Sequence, residues 1–298
     1  MASSAGIKRI DHAAILVANL ARAEAMYRRL GFKTTPIGRH NNVGTANHLL
    51  MFDEDFFEML GIETPTDFNR QWADAIAERE GLWGLAFSSD DVPATYAHLK
   101  AAGFSPTEPR EFSRPVDLGG GETRQARFTL TYLEPDAVPG IRAFVCQHHT
   151  PALVWRAEYL GQPNRTTALA HLTIAVDDPV AAAGAYARLT GTAPAPCPGG
   201  MEVPGPGATI RLLSPGQASI EFAGDPVLDY RRPAPIGVGF TVADRGKLRD
   251  LFQRACVPFH EAASGAIRVL STEACGVALD FRQSLQFQVN SSRHPRNS

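Results

Sequence analysis

Two stretches of the chain carry the same pattern of apolar and polar positions. RIDHAAILVANL (Arg9–Leu20) and LAHLTIAVDDPV (Leu169–Val180) each place one histidine, His12 or His171, in a run of small and branched apolar residues. Each run closes on Asn or Asp residues suited to capping a helix. The pattern then changes period. In ARAEAMYRRLGF, Ala23, Met26, Tyr27 and Leu30 fall on one helical face, and Gly31 supplies a stop that enters the left-handed conformation cheaply. Laying His12 on His171 also lays Ile15 on Ile174, Val17 on Val176, Tyr27 on Tyr186, Arg29 on Arg188 and Leu30 on Leu189. A weaker copy, LWGLAFSSDDVPATYAHLKAAGF, places Gly103 and Phe104 beneath Gly31 and Phe32, and IGVGFTVADRGKLRDLFQRACVPF forms a fourth.

After each helix come strand-like runs: ANHLLMFD and FFEMLGIE, ARFTLTYLE and IRAFVCQHH, ATIRLLSP and ASIEFAG, AIRVLST and GVALDFRQ. The unit is therefore strand, helix, then two or three antiparallel strands. Its sheet shows one apolar face to the helix and leaves the other in need of a partner, so two units side by side curl into a cup. The expected class is α+β, with four βαβββ modules forming two cupped mixed sheets. Residues 7–151 are expected to make the first domain and 169–283 the second, with VWRAEYLGQPNRTTA as linker and 284–298 as a flexible tail.

Composition narrows the function classes. The 298 residues are 44% hydrophobic and 20% charged, as in a folded soluble protein. The 29 basic and 31 acidic residues are mixed along the chain, without the basic stripe that a nucleic-acid partner requires. No run has the length of a membrane span and MASSAGIKRID lacks a secretory core, so no membrane association and a cytoplasmic location are expected. Cys146, Cys197, Cys256 and Cys275 are scattered without metal-ribbon spacing and read as small buried hydrophobes.

GRHNNVGTANHLLMF followed by FFEMLGIE, and the later FVCQHHTPALVW, resemble the glyoxalase-like domain group of the vicinal oxygen chelate superfamily. This is the fold of glyoxalase I, extradiol dioxygenases and the bleomycin- and fosfomycin-resistance proteins. The resemblance spans residues 7–283 and implies a metal site that takes a residue from the first strand and a carboxylate from the last strand of each module. Carried over by position, it implies His12, Glu58 and Gln147 in the first cup, with His148 beside them. In the second it implies His171, Glu221 and Asp280. Gly84 and Gly237 stand at the remaining corners, so three of four corners are expected in each cup.

Imidazole and carboxylate suit Zn, Fe, Mn, Ni or Co, and a site with three protein ligands keeps positions open for a substrate's adjacent oxygens. Glu58 and His148 are the candidate proton-moving groups. Arg39, His40, Asn47 and His48 are candidate substrate contacts, from a loop that also carries Asn42 and Thr45. The matching loop of the second half, TAPAPCPGGMEVPGPGA, is poor in binding side chains, so chemistry is expected in the first cup. Arg114, Arg124 and Arg127 lie in or close to the turn GGGETR and read either as solubilising charge or as groups steering an anionic substrate.

The leading expectation is a metal-dependent lyase or isomerase acting on a small molecule with vicinal oxygens. The alternatives are metal-free small-molecule binding, as in resistance proteins, and extradiol-type ring cleavage. For the first alternative His12 hydrogen-bonds within the cup and Glu58 pairs with Arg39 or another base. Exposed strand edges leave a homodimer open.

Overall fold

A computed structural model describes residues 6–41, 43–226, 228 and 233–283; Asn42 and the expected tail lie outside the described residues. The first half runs β1 (Arg9–Leu16), α1 (Leu20–Arg29), β2 (Gly38–Arg39), β3 (Thr45–Met51), β4 (Phe56–Ile62), α2 (Arg70–Glu78), β5 (Gly81–Ser88), α3 (Val92–Ala101), β6 (Arg110–Gly119), β7 (Glu122–Tyr132) and β8 (Arg142–His148). The second runs β9 (Thr166–Ala175), α4 (Pro179–Thr190), β10 (Ala195–Cys197), β11 (Gly200–Pro204), β12 (Thr209–Leu213), α5 (Pro215–Glu221), β13 (Ala234–Val242), α6 (Arg245–Arg254), β14 (His260–Glu261), β15 (Ile267–Val269) and β16 (Ala278–Gln283). Among the described residues no helix is long and apolar enough to cross a membrane.

Each half is one eight-stranded mixed sheet, in the orders β2-β3-β4-β1-β5-β8-β7-β6 and β10-β11-β12-β9-β13-β16-β15-β14. The module-opening strands lie at the centre: β1 pairs antiparallel with β5 and parallel with β4, and β9 does the same with β13 and β12. The helices start where their caps place them. Asn19, Asp91, Asp178 and Asp244 each accept a hydrogen bond from a first-turn amide, an arrangement that contributes about 1 kcal/mol per helix.

Alternation along the strands separates two faces. On β4, Phe57 enters the apolar core while Phe56 and Glu58 face the cup. The helix-bearing faces of both sheets share that core: Phe32, just after α1, meets Phe240 at 5.4 Å and Phe281 at 6.1 Å between ring centroids. Asp55 ties the halves further, accepting from the Leu169 amide at 3.0 Å. The expected linker is not a free connector. Ala157–Tyr159 is a short 3-10 turn, Trp155, Tyr159 and Leu160 pack on the cup-side cluster, and the last residues, from Thr166, already belong to β9.

One strand expectation is corrected. ASIEFAG belongs to α5 and its exit, because Ser214 accepts from the Gln217 amide and Pro215 occupies the first turn, both helix-starting features. The last strand of the third module is thus β12, and Glu221 reaches the second cup from a helix. In the first half, α2 lies at the corresponding point between β4 and β5 and had no counterpart in the sequence expectation.

Candidate functional site

The floor of the first cup is built on an irregularity in β1. Pairing with β5 steps from Ile10↔Phe87 to His12↔Ala86, so Asp11 is the extra residue of a bulge. A bulge breaks strict alternation, and Asp11 lies beside His12. His12 Nδ1–H donates to Asp11 Oδ2 at 2.6 Å, and His148 Nε2–H donates to the same oxygen at 3.0 Å. Burial alone would raise the Asp11 carboxyl, but His148 and His12 hold it well below the usual carboxylate range.

With its Nδ1 proton committed to Asp11, His12 turns Nε2 toward Glu58 Oε2, 3.5 Å away. The other Glu58 oxygen accepts from Asn47 Nδ2 at 2.6 Å, and that amide also approaches His40 Nε2 at 3.4 Å. His40 closes the line through Nδ1 to Thr45 Oγ1 at 2.9 Å, and burial pushes its pKa down. The His12 ring is fixed by stacking on Phe56 at 4.3 Å and by the edge of Phe144 at 5.4 Å. One polar line thus crosses the cup: His148, Asp11, His12, Glu58, Asn47, His40.

Above this line is a cavity of about 100 Å³ with largely aromatic walls. β6, β7 and β8 contribute Phe112, Phe128, Tyr132 and Phe144; Phe68 and Trp72 of the α2 region close over it, and Trp83 comes from β5. Asn69, fully buried, anchors that cover by donating to the Val43 and Thr64 carbonyls at 2.9 Å each. Arg114 projects inward from β6, beside Gly38. Asn47 Oδ1, Trp72 Nε1 and His148 Nδ1, on cavity-lining residues, are buried atoms with no hydrogen-bond partner among the described residues, the condition of a site built around a ligand or water.

Several expected contacts lie elsewhere. Gln147 faces away from the cup, where its oxygen accepts from the Val92 amide at 3.1 Å and its amide donates to the Asp90 carbonyl. It is replaced on the cup face of β8 by Phe144, Cys146 and His148. Arg39 is half-exposed and pairs with Glu63 rather than Glu58, at 2.9 Å. His48 points to the helix side, donating to the Thr35 carbonyl at 2.8 Å with Glu24 3.7 Å from its other nitrogen. Asp11 and Trp72 were missed. Asp11 gave one signal, an acid inside an apolar strand, but alternation assigns it to the face opposite His12.

Register also corrects the expectation of three corners per cup. Glu58 lies beside Ala14 on β4, and in the second half Arg211 lies beside the equivalent Thr173 on β12. Phe144 lies beside Ala86, and Asp280 beside the equivalent Gly239. The corners are therefore His12, Glu58, Gly84 and Phe144 in the first cup, and His171, Arg211, Gly237 and Asp280 in the second.

For a metal, the first cup offers His12 Nε2 and Glu58 Oε2. Asp11, Cys146 and His148 also bring one ligand atom each within 4.8 Å of one another. Yet the Asp11 oxygen is engaged by two imidazoles, and burial pushes the Cys146 thiol well up, away from the thiolate a metal takes. At the four corners only His12 and Glu58 are donors, one short of the three protein ligands of a catalytic centre.

The second cup is filled by its own chain. Arg211 grips Glu221 through two bonds of 2.8 and 3.0 Å, and Arg268 grips Asp280 through bonds of 2.6 and 2.8 Å. Arg268 also donates to Glu221 Oε1 at 3.4 Å, and Phe222 occupies the space over Gly237. His171 reaches Asp280 at 3.8 Å, and burial lowers its pKa. Arginines stand where a metal would need vacant donors.

Residues 10–190 match the model of a glyoxalase-like domain. No curated protein matches the chain. Among solved structures it is similar to a hypothetical protein from Staphylococcus aureus, with TM-score 0.67 and 12% identity over 92% of this chain and 99% of that one. A mutant 4-hydroxymandelate synthase from Streptomyces coelicolor gives TM-score 0.61 and 14% identity over 93% of each chain. A xylose isomerase-like TIM barrel/4-hydroxyphenylpyruvate dioxygenase fusion protein gives 0.60 and 13%, over 93% of this chain and 48% of that one. At such identities the likeness is one of fold.

Proposed function

The chain belongs to the glyoxalase-like domain family of the vicinal oxygen chelate superfamily, and on that premise we propose that its first cup binds an apolar-bodied small molecule carrying a carbonyl or hydroxyl oxygen and moves a proton on it, as a lyase or isomerase does. The observation that carries this reading is the Asp11–His12–Glu58 line on the floor of an aromatic cavity. Asp11 fixes the His12 tautomer, leaving the Nε2 lone pair toward the cavity, and offsets the positive charge when that nitrogen takes a proton from the substrate. Glu58, held by Asn47, is the adjacent group that receives the proton or returns it to a neighbouring atom of the substrate. The aromatic cover excludes water from both steps. With two available corner donors, no step is routed through a metal.

A second reading has its own observation. With Nδ1–H given to Asp11, His12 Nε2 and Glu58 Oε2 present lone pairs to each other across 3.5 Å, an arrangement relieved by a proton or by a divalent cation between them. A histidine ligand commonly has a carboxylate on its other nitrogen, as His12 has Asp11. There the ion would polarise a substrate oxygen.

One experiment separates these readings. Purified protein is incubated in deuterium oxide with a panel of small ketones and hydroxyketones, and exchange of their α-protons is followed by NMR beside elemental analysis of the same preparation. Exchange that survives chelation and falls at least about a hundredfold in His12→Asn supports direct proton transfer. Exchange that needs a stoichiometric metal, with both lost in His12→Ala and Glu58→Ala, transfers the case to the second reading. Ligand binding without exchange of any probe leaves a binding protein.

A further inference from the structure

Three arginines are buried among the described residues, and two of them show what the third lacks. Arg211 and Arg268, in the second cup, both hold Glu221, and Arg268 holds Asp280 as well. The side chain of Arg114, which is 9% exposed and lines the cavity of the first cup, makes no hydrogen bond or ion pair among the described residues. Burial pulls its pKa down, and Glu58 opposes this only through space.

A largely buried guanidinium without a protein partner is costly, because its N–H donors have lost most of their water with no hydrogen bond in exchange. The local backbone keeps the group in place. A Cβ on Gly38 would stand 3.1 Å from Arg114 Nη1 and 2.6 Å from Asn47 Oδ1, so glycine leaves room for both side chains at the cavity wall.

We propose that Arg114 receives the carboxylate of the molecule bound in the first cup, so that the ligand is an apolar, aromatic-bodied monocarboxylic acid. This rests on the first cup being the ligand site. The ligand's carboxylate does there what Glu221 does in the second cup, where the chain supplies the anion itself. The planar guanidinium fork matches a carboxylate through two parallel hydrogen bonds. A single negative charge suits the site, since Glu58 already lines it and a dianion would add a charge that Arg114 cannot match. Phe56, Phe112 and Phe128 leave flat apolar surface for the rest of the molecule.

Trp72 and Trp83 line the same cavity and report occupancy by fluorescence. Wild-type protein is titrated with phenylacetate, 2-phenylethanol and inorganic phosphate, and the first two are repeated with Arg114→Gln, Arg114→Lys and His12→Asn. Phenylacetate is expected to bind at least about tenfold more tightly than the alcohol, the scale of a hydrogen-bonded charge. The preference should vanish in Arg114→Gln, return in part in Arg114→Lys and persist in His12→Asn. Equal affinity for acid and alcohol in the wild type, preference for phosphate, no saturable signal from either aromatic, or a preference retained in Arg114→Gln would each overturn the assignment. Proton transfer fails separately, as an acid preference unaccompanied by His12-dependent exchange.

Discussion

The two cups have the same strand order and the same central histidine, yet one encloses a cavity and the other is filled. In the first, His12 and Glu58 occupy two corners, Phe144 a third, and α2 covers the space without entering it. In the second, Arg211 replaces the glutamate and Asp280 the phenylalanine, while α5 brings Glu221 and Phe222 inside. Arg211 and Asp280 at the equivalent register positions, joined by Arg268 of β15 and Glu221 of α5, make an ion network where the first cup has an aromatic site whose arginine is unpaired among the described residues. A buried network satisfied from within consolidates a fold; a polar site left incomplete is available to a ligand.

The largest expected effect tests whether the histidines have diverged. His12→Asn should lower turnover of any exchanged substrate by about 10²–10⁴-fold, the usual contribution of a positioned base, while His171→Asn leaves it within about twofold. Comparable losses in both variants, measured as exchange rates by NMR, would mean that the second cup also takes part in the chemistry.

Arginine replacements should have opposite signs. Arg268→Met strands Asp280 in the core and should cost about 3–5 kcal/mol in urea denaturation. Arg114→Met removes a buried charge with no partner and should raise stability by about 1–2 kcal/mol in the absence of ligand. If both variants were destabilised equally, Arg114 would have a structural partner and the contrast between the cups would collapse.

The junction between the halves has its own pH signature. Burial pushes the Asp55 carboxyl up to about 7, so the folded chain holds a proton that the unfolded chain releases near pH 4. Stability from this group is complete below the unfolded value and is lost as pH rises toward 7. Between pH 5 and 8 the wild type should lose about 2–3 kcal/mol relative to Asp55→Asn, read from denaturation midpoints at the two pH values. Parallel profiles for the two proteins would show that Asp55 does not titrate there.

Much of this architecture was legible because repeats and periods are local. The overlay of His12 on His171 gave the duplication, and the change from strand to helix period gave each module's opening. The site was legible only where strand alternation holds. His12 and Glu58 face the cup, whereas Gln147 was assigned to it from a position one residue away from the cup-facing Cys146 and His148. ASIEFAG alternates well enough to pass as a strand, but Ser214 and Pro215 start a helix ahead of it.

The chain by itself therefore determined the modules and the cupped sheets, since these follow from periodicity and repeat position, while the pairing of His12 with Glu58 was implied by the family resemblance. Tertiary structure decided which side chains meet. A bulge placed Asp11 under His12, sheet register put Arg211 where the first cup has Glu58, and packing left Arg114 without a partner while closing two carboxylates around Arg268. Each depends on contacts between residues far apart in the chain, and no local pattern encodes them.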